Sequence, residues 1–451
     1  MKSSKYDVFV IGSGIAGQTV AAKCVKAGKK VAIAESKVLG GVCSNRGCDP
    51  KKVLLAPTEV VHAANRLHNK GIVEKVKTSW KDVMNFKKEF TEKVPESTEE
   101  KLKDLGITVF KESPYFINEN TLFVEGKEIT ADKIVIATGL TPRKLDVKGG
   151  ELTRTSDDFL SLEELPDEII FIGGGYIGME FAHMAARMGA KVTVIEHGDL
   201  PLNIFEKEMV KFIVKASENL GITFVFNAEL EKIESNGDLK TVHYKKDNTS
   251  NSCNADIIFN TSGRVPSINK LKLENANIDH GENGIKVNSY LQSVSNKNVY
   301  ACGDVSDNAV PLTPFSGREG KIVAHNLLKG NEKKADFPVT PTVAFTLPNI
   351  ASVGLSEENA KEKYDEIKVV CKEASSFYNA KRVNEKIYAF KTITDKKSGK
   401  ILGAHLVGPE AGEVINLFSM AIYNDMTVDQ IKDMVFTYPA WSSDIPSMFK
   451  E

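Results

Sequence analysis

The sequence predicts an α/β fold with two Rossmann-like dinucleotide-binding domains and a C-terminal α+β domain. Three observations predict it. A pattern of strand, glycine-rich turn, helix, strand and acidic residue occurs twice in the chain. The 451 residues are enough for about three domains. From about residue 336 onward, alternating strand-like segments are followed by one or two amphipathic helices.

The two copies of the pattern share the same register. In the first copy, an apolar run leads into the glycine motif 12–17, and the next strand ends at Glu35. In the second, a similar run leads into the motif 173–178, and the next strand ends at Glu196. The acid lies equally far from the first glycine in both copies. One such motif alone is weak evidence, whereas the repeated register predicts two dinucleotide sites.

Each part of the motif has a physical purpose. The first glycine permits a tight turn, the second lets the backbone approach a pyrophosphate, and the third allows close packing of helix and strand. The helix N-terminus supplies N–H groups and a positive dipole, and the acid accepts a hydrogen bond from a ribose hydroxyl. The nucleotide-binding residues predicted on this basis are Gly12, Gly14, Gly17, Glu35, Gly173, Gly175, Gly178 and Glu196.

Composition and charge exclude several classes of protein. The chain is 41% apolar and 26% charged, which is typical of folded globular proteins. Its 59 basic and 60 acidic residues leave a net charge of −1, so it has no bulk attraction to nucleic acid or to an anionic membrane. No apolar run reaches the roughly 18 residues of a membrane-spanning helix, and six cysteines are too few for a secreted disulfide scaffold. We expect a cytoplasmic protein without a signal peptide, a nucleic-acid partner or a membrane partner.

Further segments define the predicted domains. Lys133–Gly139, Ile257–Arg264 and Asn298–Asp304 are predicted to be strands that end near a glycine. Val343–Gly408 alternates as a sheet would, and Ala411–Val435 has the pattern of amphipathic helices. The predicted division is 1–146 and 265–335 for the first nucleotide-binding domain, 147–264 for the second, and 336–451 for the C-terminal domain.

Two of the six cysteines stand close together in the segment Cys43-Ser44-Asn45-Arg46-Gly47-Cys48. A helical pattern follows, and Pro50 suits its first turn, which places Cys48 at or near a helix N-terminus that stabilises a thiolate. Three interpretations are open: half of a zinc site, a static disulfide, or a redox-active pair. Zinc usually needs a second ligand pair, and a static disulfide is unusual in a reducing compartment, so the redox-active pair is favoured. The isolated cysteines are predicted to be buried small apolar residues: Cys24, Cys253, Cys302 and Cys371.

Taken together, these motifs resemble those of the pyridine-nucleotide disulfide oxidoreductases, which include glutathione reductase, dihydrolipoamide dehydrogenase and mercuric reductase. The resemblance covers essentially the whole chain and rests on both glycine motifs, the cysteine pair with Pro50-Lys51-Lys52, Ala137-Thr138-Gly139, Cys302-Gly303-Asp304 and Phe345-Thr346-Leu347-Pro348. It implies FAD at the first site, NADH or NADPH at the second, and a homodimer formed through the C-terminal domain. It also implies a redox-active disulfide in which Cys48 lies next to the flavin and Cys43 attacks the substrate.

The resemblance also assigns roles to single residues. Lys51 would pair with Glu180 beside the flavin, and Tyr176 would gate the nicotinamide pocket. The catalytic residues it implies are Cys43, Cys48, Lys51, Glu180, Tyr176 and Tyr438. The further cofactor-binding residues it implies are Lys52, Tyr115, Thr138, Gly139, Gly263, Arg264, Asp304, Leu312 and Thr313. NADH is the expected reductant because the Glu196 carboxylate would accept from a 2′-hydroxyl and repel a 2′-phosphate; no metal site is expected.

One motif departs from the family pattern. Disulfide reductases of this family carry His-Pro-Thr-x-x-Glu near the C-terminus, and its histidine protonates the leaving thiolate. Here the corresponding stretch is Tyr438-Pro439-Ala440-Trp441-Ser442-Ser443-Asp444, with tyrosine for histidine and serine for glutamate. A phenol with a pKa of about 10 is a poor acid–base group at neutral pH. Glutathione disulfide and dihydrolipoamide are therefore disfavoured as substrates.

Mercury is disfavoured as well, because mercuric reductases collect the metal with a C-terminal cysteine pair and no cysteine follows Cys371 here. The remaining pattern is similar to that of bacterial flavoproteins that reduce hypothiocyanous acid. The prediction is an FAD-dependent NAD(P)H oxidoreductase for a small electrophilic oxidant, identified as hypothiocyanous acid by resemblance and elimination. The alternatives are a low-molecular-weight disulfide reductase or a dihydrolipoamide dehydrogenase, then a mercuric reductase. A flavin-binding sensor without turnover is disfavoured by the intact cysteine pair.

Overall fold

The computed structural model describes residues 4–308, 310–337 and 339–450, so the predicted domain ends at 1 and 451 lie outside the described residues. The strands are β1 (Ser4–Ile11), β2 (Val31–Ala34), β3 (Thr108–Phe110), β4 (Tyr115–Asn118), β5 (Thr121–Val124), β6 (Lys127–Ile136), β7 (Leu140–Pro142), β8 (Glu168–Ile172), β9 (Lys191–Ile195), β10 (Thr223–Val225), β11 (Glu229–Asn236), β12 (Leu239–Lys246), β13 (Thr249–Ala255), β14 (Ile257–Asn260), β15 (Arg264–Pro266), β16 (His280–Gly281), β17 (Gly284–Ile285), β18 (Val299–Ala301), β19 (Thr342–Ala344), β20 (Asn349–Gly354), β21 (Ile367–Glu373), β22 (Ala389–Asp395) and β23 (Ile401–Gly408).

The helices are α1 (Ile15–Lys26), α2 (Gly41–Arg46), α3 (Cys48–Arg66), α4 (Trp80–Thr91), α5 (Val94–Asp104), α6 (Ser156–Phe159), α7 (Tyr176–Arg187), α8 (Lys207–Asn219), α9 (Thr313–Lys329), α10 (Glu357–Lys363), α11 (Tyr378–Arg382), α12 (Ala411–Tyr423) and α13 (Val428–Asp433). Short 3₁₀ segments lie at Gly150–Leu152, Leu273–Ala276 and Trp441–Phe449. None of the helices in the described ranges is long and apolar enough to cross a membrane.

The chain divides into two compact units. The first contains the chain up to Val53 together with Met84–Arg143 and Arg264–Asp336. The second contains Leu54–Val83, Lys144–Gly263 and the chain from Phe337 onward. Each glycine motif therefore lies in a different unit.

The first unit is built on a mixed sheet in the order β3-β2-β1-β6-β5-β4, with β18 also paired to β6. The strands β3, β2, β1, β6 and β18 run parallel, whereas β4 and β5 add an antiparallel edge. The apolar run in β1 is buried on both faces, as a central parallel strand requires. Helix α1 packs against α9, and no side chain fits at Gly320 because its Cβ would lie 2.7 Å from the Ala16 carbonyl oxygen.

The second unit contains a parallel sheet in the order β10-β9-β8-β14, with α7 connecting β8 to β9. An antiparallel sheet of β11, β12 and β13 is inserted in the sequence between β10 and β14. The repeated pattern in the sequence thus corresponds to two parallel sheets of similar construction, one in each unit. This is the mixed α/β architecture that the sequence predicts.

The C-terminal part of the second unit is an antiparallel sheet in the order β19-β20-β23-β22-β21, followed by α12 and α13. The two helices agree with the sequence pattern, and the stretch Val343–Gly408, predicted to be rich in strands, also contains the short helices α10 and α11. Buried Lys391 of β22 contacts the carboxylates of Glu206, Glu208 and Glu357 at 2.6, 3.1 and 2.7 Å. Three carboxylates around one ammonium satisfy a buried charge that the sequence pattern does not reveal.

Candidate functional site

The first glycine motif makes a turn that only glycine fits at its first position. Gly12 has a φ of +106°, and a Cβ there would lie 2.3 Å from the Ala137 carbonyl oxygen. Helix α1 then begins at Ile15, with Gly14 at its N-cap. The free N–H groups and dipole of this helix end point out of the carboxyl edge of the parallel sheet, where anionic groups bind.

Glu35 is held in place beside this turn. Its Oε2 accepts hydrogen bonds from the Ser13 backbone N–H at 3.1 Å and the Ser13 hydroxyl at 2.7 Å, and its Oε1 accepts from Lys37 N–H at 3.0 Å. The buried Ser13 hydroxyl in turn accepts from Gly40 N–H at 3.1 Å. The carboxylate is thus fixed at the end of β2, as the motif requires for a ribose contact.

A cradle of backbone surrounds the same turn. Gly41 has a φ of +77°, and a Cβ on it would lie 2.5 Å from the Gly14 Cα atom. The hydroxyl oxygen of Thr138 is buried and has no hydrogen-bond partner among the described residues. A backbone-lined cradle and an unpartnered hydroxyl suit the pyrophosphate and sugar of a dinucleotide. These residues fit FAD.

Asp304 lies in the same unit, at the turn that follows β18. The Ser316 hydroxyl of α9 donates to its Oδ1 at 3.2 Å, and burial raises the pKa of Asp304. One helical turn further along, Glu319 accepts from Gly303 N–H at 2.6 Å, and burial raises its pKa to about 7. Its Oε1 has no partner among the described residues. Ser316 and Glu319 were not predicted from the sequence; their positions three and six residues after Thr313 on one helix were the available signal.

The two cysteines lie in two consecutive helices that are separated by one residue. Cys43 lies in α2, a six-residue helix that the sequence analysis did not predict, and Cys48 is the first residue of α3. Both are free thiols. The Thr313 hydroxyl, at the start of α9, donates to Cys43 Sγ at 3.3 Å and lies 3.4 Å from Cys48 Sγ. One hydroxyl therefore contacts both sulfur atoms.

The two thiols have opposite electrostatic properties. A hydrogen bond from the Cys43 thiol lowers the pKa of Cys48 most, and the Thr313 hydroxyl and the Lys51 charge add to this, so the pKa of Cys48 falls to about 6 although partial desolvation acts in the opposite direction. The pKa of Cys43 is raised, because the Cys48 thiolate holds the proton on Cys43 and because Cys43 is partly buried. At neutral pH the reduced pair is therefore one thiolate and one thiol.

The second glycine motif repeats the geometry of the first. Gly173 has a φ of +98°, with Ser262 Cα only 2.6 Å from where a Cβ would be. Glu196 accepts from Gly174 N–H at 2.6 Å through Oε2 and from Gly198 N–H at 3.0 Å through Oε1. Helix α7 begins immediately after the turn, with Tyr176 43% exposed. These residues fit a second dinucleotide.

Glu180 of α7 is buried at 3% exposure, and its Oε1 accepts from Phe345 N–H at 2.8 Å. This contact is within the second unit, whereas Lys51 belongs to the first. The pairing of Lys51 with Glu180 stays a prediction.

In the C-terminal stretch that replaces the histidine motif, Ser443 and Asp444 form hydrogen bonds with groups other than Tyr438. Asp444 accepts from the Tyr388 hydroxyl and from the Asn379 amide, each at 3.1 Å, and the Ser443 hydroxyl donates to the Ala440 carbonyl at 2.6 Å. Tyr438 is 71% exposed, with the Tyr378 ring centroid 6.1 Å from its own. Neither Ser443 nor Asp444 orients Tyr438 within the chain.

Several predicted cofactor contacts are engaged in other interactions. Arg264 donates to the Leu140 carbonyl at 2.8 Å, and the Tyr115 ring stacks on Phe123. The roles of Arg264 and Tyr115 toward a cofactor stay predictions. The same holds for the remaining predicted cofactor contacts, which are Lys52, Gly139, Gly263 and Leu312.

The prediction for the isolated cysteines is correct for Cys24 and Cys302, which are buried, and less so for Cys253, which is partly buried. It is wrong for Cys371, which is exposed on the edge strand β21. The neighbouring Val370 is buried, and successive side chains of a strand point to opposite faces of the sheet, so Cys371 takes the exposed face of β21.

Two family models match the chain. Residues 6–320 match the pyridine nucleotide-disulphide oxidoreductase domain, and residues 340–449 match the dimerisation domain of the same family. The second match implies a homodimer.

Curated relatives and solved structures agree with these matches. A mercuric reductase of Bacillus cereus is 33% identical over 96% of this chain and 69% of the relative, and a dihydrolipoyl dehydrogenase of Bacillus subtilis is 31% identical over 96% and 93%. The structure of an HOCl-induced flavoprotein disulfide reductase from Escherichia coli, RclA, is 29% identical with a TM-score of 0.87 over 98% of this chain and 99% of that one. Enzymes of this family use FAD and a pyridine nucleotide. The chain belongs to the pyridine nucleotide-disulphide oxidoreductase family.

Proposed function

We propose that this enzyme uses NADH, FAD and the Cys43–Cys48 pair to reduce hypothiocyanous acid. The observation that carries the proposal is the asymmetric cysteine pair, which combines a stabilised Cys48 thiolate with a protonated Cys43 and a shared Thr313 hydroxyl. The chain offers no histidine–glutamate pair near its C-terminus to assist this chemistry.

The first glycine motif is proposed to hold FAD. Gly12, Gly14 and Gly41 form the backbone cradle for the pyrophosphate, and Glu35 accepts from the ribose. Thr138, with its unpartnered hydroxyl, is proposed as a further contact. FAD and the pyridine nucleotide, when bound, supply a two-electron path from reduced nicotinamide to the cysteine disulfide.

The second motif is proposed to take NADH rather than NADPH. Glu196 keeps its carboxylate at the end of β9 through hydrogen bonds from Gly174 and Gly198. A carboxylate there accepts from a 2′-hydroxyl and repels a 2′-phosphate. The exposed His197 next to it tempers the discrimination, since a protonated imidazole tolerates phosphate.

The chemical step is proposed to begin at Cys43. Its thiolate attacks the sulfur of the oxidant and forms a Cys43–S–SCN adduct while hydroxide leaves. Cys48 then attacks Cys43 Sγ, the disulfide forms, and thiocyanate leaves. Neither leaving group requires a histidine from outside the pair, because thiocyanate is a weak base and hydroxide takes a proton from the pair.

The substrate assignment is supported by what the C-terminal segment does. Asp444 binds Tyr388 and Asn379, and no hydrogen bond joins Tyr438 to a carboxylate among the described residues. A disulfide substrate expels a strongly basic thiolate and benefits from a positioned acid, which is worth roughly 10²–10⁴ in rate. The similar E. coli protein is described as an HOCl-induced flavoprotein disulfide reductase, and its induction by a hypohalous oxidant supports a related oxidant as the substrate here.

A steady-state comparison of four acceptors tests the proposal: hypothiocyanous acid, glutathione disulfide, lipoamide and Hg²⁺, each with NADH and with NADPH. We expect the highest kcat/KM with hypothiocyanous acid and NADH. Efficient turnover of glutathione disulfide or lipoamide, with hypothiocyanous acid ignored, would restore a disulfide reductase or dihydrolipoamide dehydrogenase as the function.

A further inference from the structure

A further inference concerns the proton of the reduced cysteine pair. It deepens the proposed function and rests on it. The pair holds one proton on two sulfur atoms, and each sulfur is within hydrogen-bond distance of the Thr313 hydroxyl, at 3.3 Å for Cys43 and 3.4 Å for Cys48. Cys43 must become a thiolate before it attacks, yet in the resting arrangement Cys43 holds the proton. In this chain no C-terminal histidine is available to remove it.

We propose that the reduced pair is its own acid–base group: the Cys48 thiolate takes the proton from Cys43, and the Thr313 hydroxyl, which reaches both sulfur atoms, donates its hydrogen bond to the Cys43 thiolate as the negative charge forms there. The path is short, because both sulfur atoms lie within 3.4 Å of the same Thr313 hydroxyl. Thr313 lies within reach of either sulfur without a movement of α9, so its hydroxyl only has to rotate.

The charged groups around the pair fit this exchange. Lys51 stabilises the charge on Cys48, which sets the resting state, and Asp49 raises the pKa of both cysteines. Thr313 lowers the pKa of both cysteines, so it favours a thiolate on either one. Thr313 is the group that treats the two sulfur atoms alike, whereas Lys51 favours Cys48.

The proton balance of the step selects the substrate class. The Cys43 thiolate displaces hydroxide from the oxidant sulfur, and the hydroxide takes the proton that Cys48 received, which gives water. The regenerated Cys48 thiolate then closes the disulfide and releases thiocyanate as an anion. Two electrons pass from the two sulfurs to the oxidant, and the single proton of the pair is consumed. A disulfide substrate releases two thiolates that each need a proton, and the pair supplies one.

Alkylation of the reduced protein tests the exchange without any oxidant. The FAD-loaded, full-length protein is reduced anaerobically with dithiothreitol, and the rate of iodoacetamide addition to Cys43 is followed against pH by peptide mass. In the wild type we expect the Cys43 rate to rise with the first ionisation of the pair, near pH 6. In Cys48→Ser the base is gone, and the midpoint should move to the ordinary thiol range of about 8.5 or above.

Thr313 is tested by a pair of variants in the same assay. Thr313→Val keeps the shape and removes the hydroxyl, so the midpoint should rise by about one pH unit, equivalent to about tenfold slower alkylation below it. Thr313→Ser restores the hydroxyl and should return the midpoint toward the wild-type value. Thr19→Val is the matched control, because the Thr19 hydroxyl donates only to the Ile15 carbonyl of its own helix.

Two results would overturn the exchange: a Cys48→Ser midpoint equal to that of the wild type, or a Thr313→Val midpoint equal to that of Thr19→Val. The proposed function fails in a different way. If the reduced protein shows the expected alkylation profile but is not oxidised by hypothiocyanous acid, the exchange stands and the substrate assignment falls.

Discussion

The two glycine motifs are built alike up to their second residue, and there they differ. In the first, the buried Ser13 hydroxyl links Glu35 to Gly40, so the turn is tied to the segment that begins α2. In the second, Gly174 has no side chain, and a Cβ there would lie 2.8 Å from Pro201 Cβ. The acid of the second motif is bound through backbone N–H groups alone.

This single difference separates two uses of one motif. The serine link joins the first nucleotide turn to the backbone just before Cys43, so that site is continuous with the cysteine pair. The second motif has no corresponding link in the described residues and presents the exposed Tyr176 at its helix start. We interpret the first as a site for a resident cofactor and the second as a site for one that exchanges at each turnover.

The largest expected effect is a loss of the thiol chemistry while both nucleotide sites remain intact. Cys43→Ser removes the attacking sulfur, and turnover should fall by roughly a thousandfold or more. FAD content and the reduction of FAD by NADH should remain, because neither nucleotide motif is touched. Flavin absorbance before and after NADH addition, together with steady-state rates, measures both. Substrate reduction at the wild-type rate would show that the disulfide is not on the reaction path.

The next effect tests the backbone cradle of the first nucleotide site. Gly41→Ala places a methyl group 2.5 Å from Gly14 Cα at a φ of +77°, so FAD content should fall by about tenfold or more. Gly126→Ala is the control, because Gly126 has a similar φ of +72° and open space around it. The ratio of flavin to protein absorbance in the purified variants is the measurement. Equal flavin loss in both variants would assign the effect to backbone strain rather than to the cradle.

A smaller effect is expected at the second site. Glu196→Gln removes the charge that repels a 2′-phosphate, and the preference for NADH over NADPH should shrink by about tenfold while FAD content is unchanged. The measurement is kcat/KM for both nucleotides in the variant and in the wild type. A wild-type preference for NADPH would contradict the role given to Glu196.

The smallest effect lies outside both motifs. Tyr438→Phe removes an exposed hydroxyl that no carboxylate within residues 4–308, 310–337 and 339–450 orients, so hypothiocyanous acid turnover should change by less than about twofold. Steady-state rates with hypothiocyanous acid are the measurement. Tyr438→His should not create a good glutathione disulfide reductase, since Ser443 cannot orient the imidazole. A large loss in Tyr438→Phe would identify the phenol as an acid–base group.

The sequence was most informative where structure is local. The turns at Gly12 and Gly173, the strands before them and the acids after them follow from spacing alone, because each motif folds within one βαβ unit. The C-terminal helices α12 and α13 were predictable from their amphipathic pattern. Helix α2 was not predicted, since six residues beginning at a glycine contain too few turns to show a period.

Contacts between distant parts of the chain were beyond the sequence pattern. Thr313 meets the cysteines across more than 260 positions, and the resemblance indicated only a cofactor contact for it. In the sequence, Glu319 resembles a surface residue on an amphipathic helix, yet it is buried, and the hydrogen bond from Gly303 N–H offsets part of the cost of burying its carboxyl group. Lys391 was equally unpredictable, since its three carboxylate partners lie in other elements of the fold.

Three of the contacts described above come from residues at regular spacing along helix α9. Thr313 meets the cysteines, Ser316 meets Asp304 and Glu319 meets Gly303, so the contacts repeat every three residues along the helix. An inserted or deleted residue between 313 and 319 would rotate everything beyond it by about 100° around the helix axis. At least one of the three contacts would then be lost, whichever position was changed. This stretch should therefore tolerate substitution on its outer side during evolution but reject any change in length.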